Sequence, residues 1–126
     1  MTPSISDILD TLHVAGVIDG IARITGDAGD PVCGRAHVAT IVEGSPASDF
    51  SGIEGLRPFI DSAEPGSFLV LATDDERRVA ASTCGGTAAG RAPARGCVGL
   101  ASGGWVRDIE AIGDLGFSVW ARGTTP

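Results

Sequence analysis

The stretch that decides the fold is residues 96–126, GCVGLASGGWVRDIEAIGDLGFSVWARGTTP. It predicts a strand at Cys97–Ala101, which a glycine break at Gly103-Gly104 ends. A short helix follows at Ile109–Leu115, and a second strand at Phe117–Ala121. The adjacent charges of Arg107 and Asp108 fall where the break leads into the helix. Because ligands of α/β sheets usually bind at the carboxyl ends of strands, this pair is the first candidate site.

A second glycine turn lies upstream, in TCGGTAAG at residues 83–90. Gly85 and Gly86 come just before the first N–H groups of a predicted helix, and free N–H groups at a helix start bind carboxylate or phosphate. Pro93 predicts that this helix is short or distorted. The patterns GxxxxGK[ST] and GxGxxG are both absent from the sequence, so neither a Walker loop nor a dinucleotide fingerprint is predicted.

Strands and helices alternate along the rest of the chain. A first helix opens at Thr2-Pro3-Ser4 and is predicted to end near Gly16, while the apolar run Ser67–Thr73 is the clearest strand. Of the other segments, Val32–Val42 is predicted as a strand, Glu43–Gly52 as a polar loop and Ile53–Ala63 as a helix interrupted at Pro58. Asp74–Arg78 is predicted as a charged turn and Val79–Ser82 as a short strand. This alternation predicts a three-layer α/β or β/β/α domain. Since so many strands leave little helix cover, oligomerisation is favoured.

Composition excludes several classes of function. The 126 residues suit a single domain, 1–126, with its own hydrophobic core. A net charge of −7 argues against a nucleic-acid binder, and no apolar run reaches the ~20 residues of a membrane span. The three cysteines, Cys33, Cys84 and Cys97, share no CxxC spacing and are predicted to be small buried hydrophobes in a reducing cytoplasm.

The cations carry a further chemical constraint. All nine are arginine, so no lysine is present to form a Schiff base with a carbonyl substrate. A lyase acting on carbon–carbon bonds would therefore need a metal ion or another electron sink.

Several motifs together resemble the RraA-like family. They are Gly85-Gly86-Thr87-Ala88, Ala94-Arg95-Gly96, Gly104 followed by Arg107-Asp108, and the run from Leu115 to Pro126. That family includes class II 4-hydroxy-4-methyl-2-oxoglutarate aldolases and regulators of RNase E activity. The resemblance is collinear over essentially the whole chain and is specific in its C-terminal third. It implies a three-layer β/β/α swivelling-domain fold, phosphohistidine-domain-like, assembled as homotrimers or hexamers with active sites between subunits.

The resemblance also implies a role for each motif. In the family's aldolases, backbone N–H groups of the glycine turn hold the pyruvate carboxylate, which corresponds here to Gly85, Gly86, Thr87 and Ala88. The catalytic pair corresponds to Arg107, which contacts the pyruvyl group, and Asp108, which holds a divalent metal, Mg²⁺ or Mn²⁺. Such a metal suits oxygen ligands and a lysine-free chain, because it stabilises an enolate as a Lewis acid.

Three departures from the family pattern leave other interpretations open. Gly103 stands where an aspartate is usual, Thr87 or Ala88 where a leucine is usual, and the chain stops at Pro126 where family members continue. The first hypothesis is a metal-dependent lyase that cleaves 4-hydroxy-4-methyl-2-oxoglutarate-type 2-oxo acids to pyruvate and decarboxylates oxaloacetate. The alternatives are a non-catalytic regulator that binds an RNase E-type endoribonuclease, and a shortened, inactive family member.

Overall fold

The computed structural model describes residues 2–27, 29–41, 53–73 and 82–126. Within these ranges the chain forms four helices and six strands. The helices are α1 (Thr2–Thr11), α2 (Ile53–Asp61), α3 (Gly86–Ala94) and α4 (Ile109–Asp114). The strands are β1 (Ala22–Thr25), β2 (Arg35–Ile41), β3 (Ser67–Thr73), β4 (Ser82–Cys84), β5 (Gly99–Val106) and β6 (Val119–Thr124). The α/β fold class predicted from the sequence is confirmed.

The six strands form one mixed sheet in the order β1-β6-β5-β3-β2, and β4 pairs with β5 outside this path. All pairings are parallel except that of β1 with β6. The long strand β5 pairs with β3 along its first half and with β4 at its end, where Cys84 lies opposite Val106. Because β4 and β5 run parallel and end together, the segments that follow them start at the same edge of the sheet.

The core lies between the sheet and the helices that follow its strands. Fully buried side chains from the central strands, such as Leu69 and Leu100, meet Ile60 of α2 and Ile112 of α4. Burying one leucine or isoleucine contributes roughly 1.5–3 kcal/mol. Helix α3 contributes alanines, Ala89 and Ala92, to the core. Because these side chains are small, the backbone of α3 can pack close to the sheet.

The predicted strands are confirmed in part, with shifted ends. Ser67–Thr73 is a strand over its full predicted length, whereas the strand predicted at Val32–Val42 is shorter, at Arg35–Ile41. In the Gly96–Pro126 stretch, β5 begins later than predicted and continues through Gly103-Gly104 instead of breaking there. A side chain at Gly103 would lie 3.1 Å from Thr73 Oγ1 and 3.3 Å from its backbone nitrogen, so glycine permits close approach to β3. The last strand, β6, also starts two residues later than predicted, at Val119.

The helix predictions need two corrections. Helix α1 ends at Thr11 and not near Gly16, because His13 adopts a left-handed conformation with φ of 55° that stops helical hydrogen bonding. Helix α2 continues through Pro58 without the predicted break. Proline removes one N–H donor there, and the bond from Ser62 N–H to the Pro58 carbonyl, 3.0 Å, closes the following turn.

Two further features lie outside the predicted pattern. Strand β1, which pairs antiparallel with β6, was not expected from the sequence. Cys33 is exposed, whereas Cys84 and Cys97 are buried as predicted. The loop predicted at Glu43–Gly52 and the turn predicted at Asp74–Arg78 lie outside the described residues. Of the strand predicted at Val79–Ser82, only Ser82 is described. Across the described ranges, no helix has the length and apolar character that crossing a membrane requires.

Candidate functional site

The two glycine-flanked turns predicted from the sequence meet at one edge of the sheet. The first joins β4 to α3 at Gly85, and the second joins β5 to α4 at Arg107-Asp108. The Gly86 N–H donates a hydrogen bond of 2.9 Å to Asp108 Oδ2. The Arg107 N–H donates one of 3.0 Å to the Cys84 carbonyl. These two bonds tie both turns together within a single chain.

A half-buried and a buried hydroxyl group hold the short strand β4 in place against β5. The Thr83 hydroxyl donates to the Trp105 carbonyl at 3.0 Å and also contacts the Ser102 hydroxyl. Ser102 is fully buried, and its oxygen accepts a bond of 3.1 Å from the Gly104 N–H. Because buried polar groups are costly unless paired, this network fixes the register of β4 and so the position of Gly85.

Gly85 lies so close to the charged pair that a larger residue would displace both side chains. A Cβ atom added there would be 2.7 Å from Asp108 Oδ2 and 3.0 Å from Arg107 Nε. Its φ of −137° is open to any residue, so it is the close approach and not the backbone conformation that requires glycine. The turn backbone therefore packs directly on both side chains.

Asp108 takes an uncommon conformation at the start of α4. Its φ of 58° and ψ of 40° lie in the left-handed region, which aspartate enters more readily than most residues. Its side chain does not cap its own helix and instead reaches across to Gly86. Arg107 Nε lies 3.7 Å from the same carboxylate, and the two side chains are 47% and 49% exposed. An exposed pair of this kind adds under about 1 kcal/mol to stability, so its position is not explained by stability alone.

The start of α3 offers further hydrogen-bond donors. The first N–H groups of a helix have no intrahelical acceptor, and here the first bond of the turn runs from Ala89 N–H to the Gly85 carbonyl at 3.0 Å. The residue before the helix, Gly85, has no side chain that could cap this end. Since Asp108 accepts the Gly86 N–H, the amides of Thr87 and Ala88 are the remaining candidates for binding an anion at this end of the helix.

The donor set suits a hard cation held by few protein ligands. The described residues contain no group of three or more His, Cys, Asp or Glu side chains that could hold a metal ion. A single carboxylate, Asp108, fits Mg²⁺ or Mn²⁺, which keep several waters and accept substrate oxygens, and does not fit a tetrahedral zinc site. Burial, with a contribution from the Asp108 charge, raises the pKa of the neighbouring Cys84 thiol to about 12, so this thiol is neutral at physiological pH.

A cavity next to these donors contains residues that the sequence analysis did not single out. It has a volume of about 180 Å³ and is lined by Arg57, Ile60, Thr87, Ala88 and Arg91. It lies between α2 and α3 and shares Thr87 and Ala88 with the predicted site. The signal in the sequence was the spacing of Arg57 with Asp61 and of Thr87 with Arg91, each four residues apart on a helix and so on one face.

The sequence and the fold are similar to those of known proteins. The family profile described as RraA-like, Aldolase/RraA, matches residues 2–126. No curated protein matches the sequence. An uncharacterized protein from Pseudomonas syringae pv. tomato str. DC3000 has a similar structure, with 25% identity and a TM-score of 0.80 over 99% of this chain and 53% of that one.

Two RraA structures are also similar. One is Streptomyces coelicolor RraAS2, described as an unusual member of the RNase ES inhibitor RraA protein family, with 23% identity and a TM-score of 0.77 over 95% of this chain and 56% of that one. The other is the RNA-processing inhibitor RraA from Thermus thermophilis, with 20% identity and a TM-score of 0.70 over 96% of this chain and 67% of that one. At these identities the likeness shows a shared fold. The chain spans about half the length of the first two of these three structures.

Proposed function

The chain belongs to the RraA-like (Aldolase/RraA) family, and we propose that this member is a metal-dependent lyase that cleaves 2-oxo acids to pyruvate. Its substrates are acids of the 4-hydroxy-4-methyl-2-oxoglutarate type, with oxaloacetate decarboxylation as a second activity. The family includes both aldolases and ribonuclease regulators, so the choice between them depends on the site itself.

One observation carries the proposal, namely the bond of 2.9 Å between the Gly86 N–H and Asp108 Oδ2. It brings a carboxylate suited to a divalent cation beside the amides of Thr87 and Ala88, which suit the carboxylate of a 2-oxo acid. A 2-oxo acid has its carboxylate and its carbonyl oxygen on adjacent carbons. The two turns therefore offer complementary groups within reach of one small molecule.

The chemistry requires that an electron pair be accepted when a carbon–carbon bond breaks. In oxaloacetate the bond between C3 and C4 breaks, CO₂ leaves, and the electron pair remains on C3 and spreads to the C2 oxygen; a proton added at C3 then gives pyruvate. In the aldol substrate the bond between C3 and C4 breaks in the same sense. The C4 hydroxyl gives its proton to water as it becomes a carbonyl, and C3 takes up a proton from water, so that two molecules of pyruvate form. Arg107 donates charge-assisted hydrogen bonds to the C2 oxygen, where negative charge develops.

Asp108 is the residue that would hold Mg²⁺ or Mn²⁺, and the bound cation supplies Lewis acidity at the same oxygen. The protein supplies position. Amides of Thr87 and Ala88 bind the carboxylate, Arg107 orients the carbonyl, and the Gly86 N–H fixes the rotamer of Asp108. Without lysine, the chain has no side-chain amine for the alternative Schiff-base route.

The direct test is pyruvate release from oxaloacetate by the purified chain, followed with a coupled lactate dehydrogenase assay. We expect the rate in Mg²⁺ to exceed that after EDTA treatment by at least about a hundredfold, because a Lewis acid contributes several kcal/mol to charge stabilisation. A blank with Mg²⁺ and no protein corrects for decarboxylation by the free ion. Equal rates for protein and blank would rule out the lyase.

A specific observation supports a second candidate, a non-catalytic regulator that binds an RNase E-type endoribonuclease. Large apolar side chains are exposed in and just after α1, namely Ile5, Ile8, Leu12, Val14, Val17 and Ile18. Contiguous exposed apolar surface marks protein interaction sites, and homotrimer or hexamer formation would use it as well. We expect a pull-down by metal-free protein to retain the endoribonuclease if the regulator is correct, and Leu12→Asp to abolish that retention. No retention, with pyruvate released as above, would favour the lyase alone.

A further inference from the structure

Three arginines surround one carboxylate in the cleft between α2 and α3. Arg91 binds Asp61 with two hydrogen bonds, Nε to Oδ1 at 2.6 Å and Nη2 to Oδ2 at 2.7 Å. Arg95 Nη2 donates to the Asp61 backbone carbonyl at 2.7 Å. The hydrogen bond from Arg91 lowers the pKa of Asp61, against the opposing effect of burial, and the charges of Arg91, Arg95 and Arg57 lower it further. Asp61 is therefore ionised at neutral pH.

The charge balance of this cluster differs from that of the whole chain. Its four groups are three cations and one anion, in a chain whose net charge is −7. Arg91 is matched by Asp61 in a two-bond pair, so within the part of the chain that the structure describes the remaining positive charge of this cluster belongs to Arg57 and Arg95. Of these two, Arg57 lines the cavity.

The size and position of the cavity restrict its ligand. Its volume of about 180 Å³ is small for a ligand pocket and suits a short organic acid. Its walls include the apolar side chains of Ile60 and Ala88. One end is formed by Thr87 and Ala88, where the proposed substrate carboxylate binds, and Arg91 follows one helical turn later, about 5.4 Å along the axis. A chain of four or five carbons covers that distance.

We infer that this cavity receives the second carboxylate of a dicarboxylic 2-oxo acid and that Arg57 is the residue that selects for it. The inference rests on the proposed function, because the first carboxylate must be bound at Thr87 and Ala88. A guanidinium group binds a carboxylate through paired N–H donors, and the apolar walls accommodate the methylene groups between the two carboxylates. Monocarboxylic 2-oxo acids fill the same space without this ion pair and bind more weakly.

The test compares two acids of equal length that differ only at the far end. 2-Oxoglutarate carries the second carboxylate, and 2-oxopentanoate carries a methyl group there. Calorimetry in Mg²⁺ should give wild-type protein at least about tenfold tighter binding of 2-oxoglutarate, as expected for a charge-assisted pair. In Arg57→Gln the preference should fall to near unity, with the affinity for 2-oxopentanoate unchanged. Since Arg57 is exposed, the variant should fold normally, and its thermal unfolding checks this.

Arg35→Gln is the matched control. It removes the same charge from an exposed arginine at the start of β2, at the opposite end of the sheet, and should keep the wild-type preference. If Arg57→Gln also keeps that preference while both acids bind, the inference is wrong and the proposed function stands. If wild-type protein binds neither 2-oxoglutarate nor 2-oxopentanoate, the carboxylate site at α3 is absent, so the proposed function and the inference both fail.

Discussion

Asp108→Asn is expected to lower the rate of Mg²⁺-dependent pyruvate release from oxaloacetate about a thousandfold, because the carboxylate proposed to hold the cation loses its charge. The asparagine side-chain oxygen can still accept the Gly86 N–H bond, 2.9 Å long in the wild type. The geometry of the turns should therefore survive while affinity for the cation is lost. Binding of Mn²⁺, followed by electron paramagnetic resonance, should weaken in parallel with the rate.

Asp114→Asn provides the control for this prediction. Asp114 ends the same helix, α4, and is exposed, so its substitution changes the net charge equally without touching the junction. It should leave rate and Mn²⁺ affinity within about twofold of wild type, because exposed surface substitutions usually change little. If Asp108→Asn matches Asp114→Asn in both measurements, the cation is not held at Asp108 and the proposed lyase mechanism is wrong.

Local patterns in the sequence predicted the elements whose determinants are local. Ser67–Thr73 was predicted to its full length because it is a short apolar run rich in residues that favour strands. The start of α4 was predicted because glycine, charge and apolar periodicity coincide there. These signals need no knowledge of the partner strand.

Elements that depend on distant partners were missed. Strand β1 has four residues and exists through antiparallel pairing with β6, almost a hundred positions later. Gly103-Gly104 were predicted to break a strand, yet β5 passes through them because Thr73 of β3 lies against Gly103. Glycine therefore marked a close backbone approach and not a turn, and only the packed sheet distinguishes the two.

The same limit applies to the candidate site. The motifs identified Arg107, Asp108 and the glycine turn. That the two turns lie close together in space follows from the parallel pairing of β4 with β5. Arg57 was not identified, since its place beside Arg91 arises from the packing of α2 against α3. Motifs thus pointed to the residues that would carry the chemistry, whereas the residue proposed to select the substrate emerged only from tertiary structure.

Gly85→Ala is expected to lower the rate of pyruvate release about a hundredfold while leaving the protein folded. The added Cβ would lie 2.7 Å from Asp108 Oδ2 and 3.0 Å from Arg107 Nε, so both side chains must move. A misplacement of about 1 Å in a catalytic group typically costs around a hundredfold in rate. Both side chains are half exposed and can move into solvent, and the φ of −137° at Gly85 suits alanine. The free energy of unfolding should therefore change by less than about 1 kcal/mol.

Gly113→Ala separates this local effect from a general consequence of replacing glycine. A Cβ at Gly113, inside α4, would meet nothing within 4 Å. This variant should be stabilised by roughly 0.5–1 kcal/mol, because alanine is the better helix former, and should keep the wild-type rate. Urea unfolding gives the free energy of unfolding of each variant, and the pyruvate assay gives its rate. Because the steric conflict at Gly85 involves the two residues proposed to act on the substrate, a wild-type rate in Gly85→Ala would mean that catalysis does not depend on their placement, and the site would have to lie elsewhere.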